Sequence, residues 1–167
     1  MKTLYVLRHA KSSWKAADLP DHERPLNARG RRDAPKVGRW IASDGVVPTR
    51  IVASTAVRAQ TTARLAAAEI AEHAPAVELD AALYFEGPDA YLATLVGLAA
   101  DVDCALLVGH NPDVESVVEE LTGEPVTMPT AALARIRFDH DDWSVIAGAR
   151  PGGILESLRT PKDDDGR

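Results

Sequence analysis

Cysteine occurs once, at Cys104, so the chain cannot close a disulfide within itself. One cysteine and five scattered histidines also give no spacing of the kind that builds a structural zinc site. Aromatic residues are scarce, at 5%. Positive charge is not in excess either. Lys and Arg number 19 against 25 Asp and Glu, a net charge of −6, which argues against a protein held to nucleic acid or anionic lipid by bulk charge. No stretch approaches the roughly 18 uninterrupted apolar residues of a membrane span. Met1-Lys2-Thr3 leads straight into a strand-like segment rather than an apolar leader. The expectation is a cytoplasmic protein without a membrane or nucleic-acid partner. What is present is 46% apolar residues in a chain of 167, enough for one continuous core and too many for a disordered or fibrous chain. Residues 1–160 are expected to form one domain. Residues 161–167 are expected to be a disordered tail, since Lys162 to Arg167 has no apolar anchor.

Short apolar runs alternate with helical periodicity. Thr3 to Leu7 reads as a central strand that stops at Arg8-His9. Ala17 to Asn27, with two prolines and many charges, reads as a loop. Val37, Trp40 and Ile41 have the spacing of a buried helical face, with Gly45 as its C-terminal cap. That helix either starts near Asn27 and kinks at Pro35, or starts at Asp33 with the proline in its first turn. Arg50 to Ala53 is a second strand, and Ser54-Thr55 are placed to cap an alanine-rich helix from about Ala56 to Glu72. Val77 to Leu79 is a weaker strand, followed by a helix from about Asp89 to Ala99. Cys104 to Val108 is an unbroken apolar run suited to a strand buried on both faces. Asn111 offers an N-cap, with Pro112 at the first helical position, for a helix to about Leu121. Ala131 to Phe138 and Trp143 to Ala149 flank a turn-rich segment and are expected to pair as an edge hairpin. The order predicts an α/β fold, a three-layer α/β/α sandwich with a mostly parallel central sheet and an antiparallel edge.

Three polar clusters follow three of these strands: Arg8-His9, Ser54 to Arg58, and His110-Asn111. Ligands of open α/β sheets bind beyond the carboxyl ends of the strands, so the clusters converge on one small ligand. Two arginines and two histidines without a paired carboxylate describe an anion site, and helix N-termini there add to the attraction for phosphate. A single strand-end histidine is commonly structural, and Arg58 alone would be an ordinary solvated helix residue. The coincidence of four such groups at ligand positions shifts the balance. His22, His73 and His140 lie in charged loop or helix-end contexts and are assigned no chemistry.

Leu7-Arg8-His9-Ala10 resembles the R-H-G/A signature of the histidine phosphatase superfamily, which includes the phosphoglycerate mutases. Ser54 to Thr62 resembles its second arginine motif and Gly109-His110-Asn111-Pro112 its second histidine motif. The small size, together with Arg8 to Trp14 and Asp21 to Leu26, is similar to the SixA-like phosphohistidine phosphatase branch. Matching features run in the family's order from about Leu4 to Pro112.

The resemblance implies that His9 is the nucleophile and that Arg8, Arg58 and His110 hold the phosphoryl oxygens. No metal or other cofactor is implied. His9 would start neutral and His110 protonated, so their environments should push their pKa values apart. Arg24, before Pro25-Leu26, resembles an arginine of the SixA-like branch and either touches the substrate or pins its own loop. Asn111 is a second candidate substrate contact. Larger members use a carboxylate as general acid. Glu86 is the candidate here, set against its reading as a solvated loop acid, and Asp18 and Asp21 are weaker candidates. A site without a strong acid suits a P–N bond, whose imidazole leaves more readily than an alkoxide. The leading expectation is therefore a phosphatase for phosphohistidine on a protein. The alternative is a phosphomonoesterase for a small sugar or nucleotide phosphate. A binding module that has lost catalysis would need the cations but not the imidazole pair.

Overall fold

The computed structural model describes residues 1–147 and 152–163. Its six-stranded sheet comprises β1 (Lys2–Arg8), β2 (Arg50–Ser54), β3 (Val77–Asp80), β4 (Cys104–Gly109), β5 (Leu133–Phe138) and β6 (Ile154–Arg159), in the order β3-β2-β4-β1-β5-β6. Pairing is parallel from β3 through β2 and β4 to β1, and antiparallel from β1 to β5 and from β5 to β6. The helices are α1 (Ala28–Ser43), α2 (Val57–Ile70), α3 (Pro88–Val96) and α4 (Asp113–Thr122).

Side chains of β1 alternate between the two faces. Tyr5 and Leu7 join Val37, Ile41 and Ala63 in one apolar layer, under α1 and α2. Leu4 and Val6 join Leu95, Val114 and Val117 in the other, under α3 and α4. The result is the expected α/β/α sandwich. Cys104 is buried in the first layer, where burial pushes its thiol up to about 12 and keeps it protonated.

α1 begins at the earlier of its two expected starts. The Asn27 side chain caps it by accepting from the Gly30 N–H at 2.9 Å, and Pro35 lies inside the helix. The other two expected caps are not made. The residue before α2 is Ala56 and the residue before α4 is Pro112, neither with a side-chain cap, because Ser54 and Asn111 are engaged elsewhere. The edge hairpin also differs from expectation, since β5 pairs with β6 and not with the segment starting at Trp143. Trp143–Ala147 is a 3-10 turn: Trp143 and Ile146, three apart, are both buried, and the indole N–H donates to the Val102 carbonyl at 2.7 Å. Residues 148 and 149 of the expected strand lie outside the described residues. At the C-terminus, Pro161–Asp163 forms a 3-10 turn with Pro161 buried, and residues 164–167 of the expected tail lie outside the described residues.

α1 and α2 approach closely because Gly38 has no side chain. A Cβ there would stand 2.1 Å from the Ala66 carbonyl oxygen. Gly38→Ala gains about 1 kcal/mol in helix propensity but forces backbone apart, and overpacking of this kind costs about 1–3 kcal/mol. The expected outcome in urea unfolding is a net destabilisation of about 1 kcal/mol or more. Unchanged stability would show that the two helices separate freely.

Candidate active site

The carboxyl ends of β2, β4 and β1 lie side by side because those strands are neighbours and parallel. Arg8 stands opposite Gly109, and the His9 N–H donates to the Gly109 carbonyl at 2.9 Å. The chain therefore delivers His9, Ser54 to Arg58, and His110 to one place. They open on a pocket of about 340 Å³, whose lining also includes Lys11, Ser12, Trp14, Asp21, Arg24, Phe85, Asn111 and Thr130.

His9 and His110 are buried at the pocket floor, 8% and 1% exposed, with ring centroids 5.1 Å apart. His9 Nδ1 lies 2.8 Å from the Ala10 carbonyl oxygen, which can only accept, so Nδ1 carries the proton and Nε2 keeps its lone pair. Burial, reinforced by Arg58, Arg8 and Arg24, pushes the His9 imidazole down to about 4. His110 Nε2 is 2.8 Å from Ser54 Oγ, while its Nδ1 is buried without a protein partner. Burial, then His9, Arg58 and Arg8, pushes His110 down to about 3. Both rings are thus neutral in the free pocket. This corrects the expectation of a neutral His9 beside a charged His110: both rings share the same desolvated, cationic surroundings.

The guanidiniums are fixed from behind. Arg8 Nη1 donates to the Met128 carbonyl at 2.9 Å, and its buried Nε has no protein partner. Arg58 donates to the main-chain oxygen of Asp21 at 2.6 Å and to its Oδ2 at 2.9 Å. Arg24 donates to Asp21 Oδ1 at 2.8 Å and to Ser12 Oγ, and its plane lies 3.3 Å from the centre of the Trp14 ring. Tyr84 donates to Asp21 Oδ2 at 2.6 Å. Although burial alone would raise it, hydrogen bonds from Tyr84, Arg24 and Arg58 hold the Asp21 carboxyl well below the usual carboxylate range.

Arg8, His9, Arg24, Arg58, His110 and Asn111 all line this pocket. Asn111 donates to Glu115 Oε1 at 2.8 Å and to the Met128 carbonyl at 3.0 Å, which explains why it does not cap α4. Glu86 is exposed and lines a separate depression with Asp80 and Asp89. Asp18 is exposed and outside the pocket lining, so of the candidate acids Asp21 alone lines it. The sequence reading did not find Ser54 as a partner of His110, nor Tyr84 and Phe85 around the same ring. Ser54 was legible only as the last residue of a strand bound for the site, and the aromatic pair only as neighbours of Glu86. Among the described residues, no group of three or more histidine, cysteine or carboxylate side chains converges to hold a metal ion. Nor is any helix of those residues long and apolar enough to cross a membrane.

This arrangement can bind a tetrahedral oxyanion and present an imidazole lone pair to it. The model of the histidine phosphatase superfamily (branch 1) matches residues 4–84. An uncharacterised chloroplastic protein of Arabidopsis thaliana is 31% identical over 175 residues, covering 96% of this chain and 78% of that one. The crystal structure of the putative phosphohistidine phosphatase SixA from Agrobacterium tumefaciens superposes with a TM-score of 0.80 at 26% identity, covering 96% of this chain and 98% of that one. The putative SixA of Nakamurella multipartitia does so at 0.78 and 27%, covering 96% of each. The chain belongs to the histidine phosphatase superfamily. Within it the chain falls in the SixA-like branch, and it is a phosphatase acting on phosphorylated substrates.

The two neutral histidines make folding stability depend on pH. Free histidine in the unfolded chain protonates near pH 6.5. Below that pH the unfolded state takes up protons that the folded state refuses until about 4 at His9 and 3 at His110. Each therefore removes up to about 1.4 kcal/mol of stability per pH unit as pH falls from 6.5 toward those values. His110→Gln should flatten the fall in unfolding free energy between pH 6.5 and 4, measured by urea titration at each pH. An unchanged slope would mean that His110 is charged in the fold.

Proposed function

We propose that this protein hydrolyses phosphohistidine on a partner protein through a phosphorylated His9. The observation that carries this reading is the state of Asp21. It is the pocket's one lining carboxylate among the described residues, and three hydrogen bonds hold it ionised, so it has no proton to give. An alkoxide leaves poorly without such a proton. An imidazole already protonated by solvent leaves as a neutral molecule and needs none.

His9 Nε2 attacks phosphorus in line as the P–N bond of the substrate breaks, and the electron pair departs with the leaving imidazole. The backbone acceptor at Nδ1 fixes the tautomer in which Nε2 is the nucleophile. Charge on the three equatorial oxygens is taken by Arg8, Arg58 and Arg24, whose remaining N–H groups are already oriented. A bound phosphoryl dianion raises the pKa of His110, which then completes the set as a donor. Asn111 is held beside Arg8 by the shared Met128 carbonyl and contacts the substrate from the same side. Water finally attacks the phosphohistidine, yielding orthophosphate and neutral His9. The mouth of the pocket is exposed at Trp14 and Phe85, as access for a side chain on a folded partner requires.

The experiment that tests this reading compares kcat/KM for a phosphohistidine protein, an aryl phosphate and an alkyl phosphate. The expected order is P–N fastest and alkyl ester slowest. Glu86→Gln should leave the P–N rate within about twofold, since Glu86 faces away from the site. His9→Ala should abolish turnover by at least roughly 10³-fold, as loss of a nucleophile does. A wild type that prefers the alkyl ester and collapses on losing Glu86 is instead a small-molecule phosphomonoesterase.

Metal independence is proposed on the same grounds, because guanidiniums and imidazoles occupy the positions from which a cation would act. Activity should survive dialysis against a strong chelator. A loss that Mg²⁺ or Zn²⁺ restores would show that the cationic side chains are insufficient.

A further inference from the structure

Aromatic residues are scarce in this chain, yet Trp14 and Phe85 line one pocket, with Tyr84 packed against Phe85. Trp14 is 73% exposed, although tryptophan is among the most costly side chains to leave in water. Arg24 covers one face of its indole at 3.3 Å, and the exposure belongs to the rest of the ring. Phe85 is 48% exposed and adopts φ +59°, a left-handed backbone conformation that a bulky residue rarely takes. That conformation places its ring 4.7 Å from the His110 ring, with 36° between their planes. Strain of this kind at a functional pocket points to a purpose for the side chain it displays.

The space agrees. A volume of about 340 Å³ is more than a phosphoryl group fills. The arginines and histidines account for the phosphoryl oxygens and leave the two aromatic rims without a task.

We propose that Trp14 and Phe85 form a subsite for a planar ring borne by the leaving group, which in the substrate assigned above is the imidazole of phosphohistidine. The proposal rests on that reading for the identity of the ring, though not for the existence of the subsite. Stacking on an aromatic face accepts any flat ring and adds affinity without new hydrogen bonds. It also places the ring over the rim while phosphorus sits on the floor beside His9.

Binding of non-hydrolysable phosphonates tests the subsite without any turnover. Dissociation constants for phenylphosphonate, methylphosphonate and inorganic phosphate would be measured by calorimetry on the full chain. Wild type should bind phenylphosphonate about tenfold tighter than methylphosphonate. Trp14→Ala should bring that ratio close to one while phosphate affinity stays within about twofold, which also shows that the variant's pocket is folded. Trp14→Phe should restore most of the preference, and Phe85→Ala should reduce it. Equal affinity of wild type for the two phosphonates overturns the proposal. So does a Trp14→Ala variant that loses phosphate affinity in proportion, since the indole would then act only by supporting Arg24. A ring preference in a protein that fails to cleave phosphohistidine would reject the substrate assigned above and keep the subsite.

Discussion

Three guanidiniums, a lysine and two imidazoles share one pocket in a protein of net charge −6, and the Asp21 carboxylate is what ties two of the guanidiniums, Arg24 and Arg58, in place. It receives Arg24, Arg58 and Tyr84 together, so three side chains from three parts of the chain meet on two oxygens. Asp21 itself sits in the long connection from β1 to α1, which has little secondary structure of its own. That connection is pinned by a bridge between Ser12 and Leu26, by the Ser13 N–H on the Pro25 carbonyl at 2.8 Å, and by the Asn27 N–H on the Lys11 carbonyl at 3.0 Å. Gly30 lets α1 approach the same loop, since a Cβ there would stand 2.2 Å from the Lys11 oxygen. The loop positions Asp21, and Asp21 fixes Arg24 and Arg58. An incoming anion meets donors already oriented, with their side-chain entropy spent during folding rather than during binding.

The parts of this architecture set by local chemistry were legible in the sequence. β1, β2 and β4 are short apolar runs that end in polar residues, and strand ends are where an open α/β sheet collects its ligand. The region near Asn27 reads as one of two possible starts of α1, and Asn27 caps the helix there. Ser54 and Asn111 both have capping chemistry, yet Ser54 Oγ meets His110 and the Ala56 N–H just ahead of α2, and Asn111 donates to Glu115 and Met128. Local preference was overridden where the chain builds the pocket, which is where consistency between levels is expected to fail. Trp143 was misread for a different reason. Its hydrogen-bond partner, the Val102 carbonyl, is remote in sequence, and burial three residues apart with Ile146 selects a turn over a strand.

The charge states were the least legible feature. An R-H pair and a G-H-N-P segment identify residue types, but the protonation of an imidazole depends on how deeply it is buried and on what surrounds it. Here burial comes first and neighbouring guanidiniums second, and both act in the same direction on the two rings. In the free pocket these surroundings favour a neutral His110.

The same electrostatics constrain the substrate. A carboxylic acid that is to protonate a leaving group near neutral pH needs a raised pKa, which requires apolar surroundings or a neighbouring anion. A pocket whose cations are arranged to hold a phosphoryl group does the reverse to any carboxyl placed among them, as Asp21 shows. A carboxyl hydrogen-bonded to these guanidiniums is therefore unsuited to donate a proton. Here Glu86, the acid nearest in sequence to the pocket's aromatic rim, turns into a different depression. Under the proposed mechanism the burden passes to the substrate, whose leaving group must arrive carrying its own proton, and a protonated imidazole on phosphorus meets that requirement at neutral pH.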